Sequence, residues 1–168
     1  MSGYLGSDHW SALVGLGTFP MSFSEADCLT MLHNGAKELV GDIEWKQDPN
    51  YKPALAFSRT MTVDGHTFTV KGWHNKKRTK LYYTIIHSEG KRVYCLDLGE
   101  RHRQPDDSMV PGIHKHRWTD EYEDQLAYVP TDITRPITDP VGVWQEFCAE
   151  AKIKHRGTLA HPFTQGTI

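Results

Sequence analysis

The chemistry-bearing side chains of this sequence concentrate between Cys95 and Pro130. The stretch reads Cys-Leu-Asp-Leu-Gly-Glu-Arg-His-Arg from Cys95, Gly-Ile-His-Lys-His-Arg-Trp from Gly112, and Tyr-Glu-Asp-Gln-Leu-Ala-Tyr-Val-Pro from Tyr122. On an extended strand alternate side chains share a face, so His114 and His116 point the same way, with Trp118 beyond them. Lys115 and Arg117 then face the opposite side. Two imidazoles on one face, with His102, Arg101, Arg103 and Asp97 a short loop away, suit proton transfer, phosphate binding or metal ligation.

Three readings of that pattern stay open. In the first, His114 and His116, with His102 nearby, act as general acid and base on a phosphodiester, as in a small ribonuclease-like toxin. Arg101, Arg103, Lys115 or Arg117 then steadies the charge that builds on phosphorus. In the second, the same groups bind a partner without catalysis, for example a host factor held by a basic face. In the third, the chain is a metal-dependent enzyme. His114-x-His116, followed four residues later by Glu121, resembles the His-x-His-x4-Glu part of the cupin metal motif, which implies His114, His116 and Glu121 as ligands of a divalent ion. The flanking glycines and the second motif of cupins are absent. No cofactor other than such a metal is expected. Against all three stands a purely structural role, with both histidines hydrogen-bonded to neighbouring strands.

The charge pattern favours an anionic partner. Net charge is only −2, yet His66 to Arg117 holds eleven Lys/Arg against five Asp/Glu. RNA or a nucleotide is the usual partner of such a basic region. Within it, Lys71-Gly-Trp-His-Asn-Lys-Lys-Arg-Thr-Lys80 interleaves Trp73 with cations, and Tyr82, Tyr83 and Tyr94 lie on adjacent strands. Stacking aromatics beside Lys76, Lys77 and Arg78 are what a single-stranded nucleic acid needs. No glycine-rich phosphate loop, nucleophile elbow or zinc-finger cysteine spacing is present, which argues against several large enzyme classes.

Elements to position these groups follow from periodicity. At 168 residues and 38% apolar content, the chain suits one domain over 1–168, with 1–20 as an N-terminal arm and 154–168 as a docked coil. Within the arm, Trp10 to Leu16 has the composition of a short helix. Ser22 or Ser24 caps an amphipathic helix expected to run to about Gly41. Period-two alternation then predicts strands around Ile43 to Trp45, Ala54 to Val63, His66 to His74, Leu81 to His87, Lys91 to Leu98, the His-Lys-His segment and Gln125 to Val129. Asp64-Gly65 is a type I′ turn signal between two of them. Asp139-Pro140 opens a second helix whose stripe is Trp144, Phe147, Cys148 and Ala151. The expected fold is α+β, an antiparallel meander of six or seven strands flanked by two helices. Cys28, Cys95 and Cys148 form no paired motif and read as reduced, buried thiols. With no leader-like start and no apolar run of membrane length, the chain is expected to be cytoplasmic and to have no membrane partner.

Leu96-Asp-Leu-Gly, His102-x-x-Pro-Asp, Gly112-x-His-x-His and Tyr122-x-Asp-x-x-Ala-Tyr-x-Pro together resemble the core pattern of a family of small, uncharacterised proteins from bacteria and their phages. Asp107 stands where that pattern favours glycine. The resemblance brings no established activity. It implies a setting of host defence, counter-defence or toxin–antitoxin pairing, and marks His102, His114 and His116 as the positions to test.

Overall fold

The computed structural model describes residues 23–162. The expected N-terminal arm and its short helix lie outside the described residues, as does the end of the tail. The elements are α1 (Glu25–His33), β1 (Glu38–Val40), β2 (Lys46–Gln47), β3 (Leu55–Val63), β4 (His66–Asn75), β5 (Lys80–His87), β6 (Arg92–Leu98), β7 (His102–Arg103), β8 (Met109–Val110), β9 (Ile113–Arg117), β10 (Ala127–Tyr128), α2 (Pro140–Glu150) and β11 (Lys154–Arg156). Seven strands form one antiparallel sheet in the order β10-β9-β6-β5-β4-β3-β2. The expected α+β meander is therefore the observed fold.

Alternation gives this sheet two unlike faces. Phe57, Phe68, Val70, Tyr83, Ile85 and Leu96 point into the core, where the buried side chains of both helices join them. Trp144 of α2 packs against Phe57 and Tyr83 at centroid separations of 5.5 and 5.1 Å, and the Tyr83 hydroxyl donates to the Pro140 carbonyl at 2.6 Å. The opposite face carries exposed Ser58, Thr60, Thr62, Thr67 and Lys71. Asp64 and Gly65, at φ 50° and 81°, make the tight β3–β4 turn that their sequence signals.

Four segments depart from the sequence reading, one of them the strand expected around Ile43 to Trp45: only Ile43 bridges, in parallel with Leu159, and the strand is Lys46–Gln47. The first helix starts as expected, with Ser24 and Asp27 forming a capping box, but it ends at His33 rather than near Gly41. Lys37, fully buried, turns back to donate to the Met31, Leu32 and Asn34 carbonyls, which satisfies the helix end and frees residues 38–40 to become a strand. That strand pairs in parallel with β11, so Lys154–Arg156, expected as coil, is extended. The loop holding Pro105 contains the β7–β8 hairpin. Its Asp107 has φ 66°, the left-handed conformation in which glycine carries no steric penalty.

Cys28, Cys95 and Cys148 are free and buried. Among the described residues no helix is long and apolar enough to cross a membrane.

The turn after β6 is held against the β4–β5 hairpin. Gly99 has φ 99°, and a β carbon there would lie 2.0 Å from the Thr79 carbonyl oxygen. An ion pair between Lys80 and Glu100 closes the same junction. Gly99→Ala is expected to lower stability by about 3 kcal/mol through clash and backbone strain together. Gly90→Ala, at φ 86° with open space around it, is expected to cost only about 1 kcal/mol. Urea unfolding of the two variants checks this, and equal losses would contradict the close contact.

Candidate metal centre

Strand pairing assembles the centre. In the β6–β9 register Asp97 lies opposite His114 and Cys95 opposite His116, so all four occupy the sheet face that the helices leave free. Leu96 and Leu98, alternating with them, are buried in the core. The β7–β8 hairpin folds over this end of the sheet. Gln104 fastens it to the β10 backbone, its side-chain nitrogen donating to the Ala127 carbonyl at 2.6 Å and its side-chain oxygen accepting from the Ala127 amide at 2.9 Å. His102 is thereby set 4.6 Å from His116 and 5.5 Å from His114, centroid to centroid, while the latter two rings are 4.9 Å apart.

Each imidazole is held by one nitrogen to a backbone carbonyl. His114 Nδ1 donates to Pro111 at 3.1 Å, His116 Nδ1 to Asp124 at 2.9 Å, and His102 Nε2 to Gln125 at 2.6 Å. A carbonyl only accepts, so the ring hydrogen belongs on those nitrogens. In the neutral rings the other nitrogen is left as a bare acceptor: Nε2 of His114 and His116, and Nδ1 of His102. The three histidines offer ring nitrogens within 4.8 Å of one another.

A carboxylate stands beside them. Asp97 Oδ2 is 3.5 Å from His114 Nε2 and 3.1 Å from His116 Nε2. The His116 contact is close without hydrogen-bonding alignment, so this buried nitrogen has no hydrogen-bond partner. Burial works to raise the Asp97 pKa, and the pull that the His114 and His116 rings exert when protonated outweighs it, holding the carboxyl well below its usual range. Burial lowers the pKa of His102, and the two neighbouring histidines add to that. Cys95 donates its thiol to Asp97 Oδ1 at 3.5 Å, and burial pushes its pKa far up. Without a metal it is therefore held as a thiol.

The structure thus gathers His102, His114 and His116 but redistributes the remaining candidates. Glu121 is exposed in the turn bridged by Thr119 and Glu123, beside Tyr122, and His102 takes the place assigned to it among the metal-binding groups. Lys115 does not serve as a phosphate contact at this site. Its side chain enters the opposite face, fully buried, where it pairs with Asp132 at 2.5 Å and with Glu150. Arg117 lies over the Tyr128 ring at 4.7 Å. Arg101 and Arg103 are exposed on either side of His102, with Arg103 3.4 Å from Asp107. Lys76, Lys77 and Arg78 are exposed at the β4–β5 tip, which the Gly99 and Glu100 contacts bind to the His102 loop. Sequence reasoning set Asp97 a loop away from the histidines and missed it as their cross-strand partner. The available signal was an acid alternating with Leu96 and Leu98 in a strand.

A family model described as a family of unknown function (DUF6978) matches residues 24–153, a span that contains the whole centre. No curated protein and no solved structure matches the chain.

Convergent acceptors of this kind stabilise the fold when an ion binds the folded chain alone. Zinc at a hundredfold excess over its Kd is expected to add about 2.7 kcal/mol, read as a rise in Tm. His114→Ala should abolish the rise. An equal rise in that variant would place the ion elsewhere.

Proposed function

We propose that the chain, which belongs to this family of unknown function, binds a divalent transition metal through His102, His114, His116 and Asp97 and uses it to hydrolyse phosphodiesters. The observation that carries the reading is the anchoring of three clustered imidazoles by backbone carbonyls, which leaves one acceptor nitrogen on each, with Asp97 beside those of His114 and His116. Three imidazoles and a carboxylate suit zinc, manganese, iron, cobalt or nickel. Carbonyl acceptors behind each ring are the outer-shell support that metal-ligating histidines need. His102, His114, His116 and Asp97 would hold the ion, which would draw the ring nitrogens in from the 4.8 Å within which they lie here. His102, on the short hairpin, is the ring best placed to move.

Bound at this position, the ion supplies a Lewis acid for a phosphoryl oxygen and a more acidic water. In the hydrolysis, the water oxygen forms a bond to phosphorus as the ester P–O bond breaks. The proton it loses balances the leaving alkoxide. Arg101 and Arg103, with the neighbouring tip cations, favour a phosphate-bearing substrate over a neutral one.

A metal-free acid–base pair fits the geometry less well. General acid and base need access to different oxygens of one phosphate, whereas His114 and His116 are each 2% exposed and both aim at the same Asp97 oxygen.

Elemental mass spectrometry and a phosphodiesterase assay test the proposal together. Wild-type protein should hold one ion per chain and the His114→Ala, His116→Ala double variant almost none. Hydrolysis of bis(p-nitrophenyl) phosphate should fall at least a hundredfold on chelation and return with metal. Absence of metal from loaded wild type would sink the centre. Metal without hydrolysis would leave the centre standing and remove the reaction.

A further inference from the structure

We infer that the sheet face beside the histidines is a binding path for single-stranded nucleic acid, with Tyr82 and Trp73 as its base-stacking platform. The chemistry at the end of the path rests on the proposed metal centre. The path itself is carried by a separate set of observations.

The first is register. Ala56, Trp73, Tyr82, Asp97 and His114 are successive cross-strand partners, so they form one row on one face. Ser58, Lys71, Thr84, Cys95 and His116 form the next. Neighbouring strands are about 4.8 Å apart, which puts Tyr82 one strand from Asp97 and about 10 Å from the strand of His114 and His116. A ligand stacked at Tyr82 therefore lies one strand from Asp97, at the edge of the centre.

The second is the state of the aromatic side chains. Trp73 and Tyr82 are half-buried and nearly parallel, with centroids 5.2 Å apart and planes 9° from each other. The Trp73 indole N–H donates to Asp48 at 2.7 Å, which fixes the ring. Tyr51 lies 6.3 Å beyond it, with the Arg78 guanidinium 5.1 Å over the Tyr51 ring. A column of cation and rings thus stands on a face that neither helix covers, along a groove that Ser58, Lys71, Trp73 and Tyr82 help to line. Pre-oriented rings interleaved with cations suit unpaired bases, whose π faces are accessible, and exclude a duplex, whose bases are already stacked.

The third is the charge at the end of the column. The Gly99–Thr79 contact brings two basic loops together that are remote in sequence, Lys76 to Arg78 and Arg101 to Arg103. Phosphates of a strand lying across the row would meet cations of both loops where the loops come together.

Anisotropy of a fluorescein-labelled single strand of about twelve nucleotides tests this on chelator-treated protein, so that binding is read without turnover. The single strand should bind at least tenfold more tightly than the matching duplex. Tyr82→Leu should weaken it about tenfold, the loss of one stacked base, and Tyr82→Phe should restore it. Lys77→Gln with Arg78→Gln should weaken binding and flatten its salt dependence. Thermal melts and metal content of the same variants separate outcomes: Tyr82→Leu that is folded, metal-replete and still fully binding would overturn the platform. Duplex binding as tight as the single strand would overturn the path. Loss of metal binding in wild type with the oligonucleotide results intact would instead overturn only the centre.

Discussion

The hydrogen bond from an imidazole N–H to a backbone carbonyl is the interaction on which this arrangement depends. It fixes which nitrogen carries the hydrogen, and with it the direction of the remaining lone pair. His102, His114 and His116 each make one, to carbonyls from three different positions. Backbone acceptors do not titrate, so each neutral ring keeps one tautomer. The consequence is a cluster of bare acceptors beside Asp97, itself only an acceptor when ionised, and the unpartnered His116 Nε2 is its visible cost. A buried polar atom left in this state is unfavourable by about 1–3 kcal/mol, which an arriving cation converts into attraction.

That arrangement needs β9 to be immobile, and it is fixed from both sides. On one face stand the histidines. On the other, Lys115 runs into the interior to meet Asp132 and Glu150, while the Tyr94 hydroxyl donates to Glu150 as well. A buried ion pair adds little net stability once its desolvation is counted. Its effect here is on register: a one-residue slip of β9 would bring Lys115 to the open face and turn both histidines into the core. The β7–β8 hairpin, pinned by Gln104, adds the third ring to a frame that is already set.

Much of this was legible in the sequence and some was not, for identifiable reasons. Period-two alternation places His114 and His116 on one face and Lys115 on the other, and the structure agrees. Naming Lys115 as a phosphate contact set that rule aside, and the structure buries it against Asp132 and Glu150. Asp97 was hidden because strand pairing is set by turns, and the spacing from Asp97 to His114 passes through a hairpin of two-residue strands too short to carry a period. The overlong first helix came from Leu39 and Val40 falling at helical spacing, although Asn34-Gly35 is a stop signal. Lys154–Arg156 has no apolar pattern at all; it is extended because its backbone pairs with β1, a long-range cause that local sequence does not encode.

X-ray absorption at the metal edge of zinc- or cobalt-loaded protein tests the central claim most directly, because it reads the donor atoms around the ion. The expected result is a first shell of nitrogen and oxygen with outer-shell scattering from three imidazoles, falling to one in the His114→Ala, His116→Ala variant. A shell of water oxygens with no imidazole signature, or one that includes sulfur from Cys95, would contradict it.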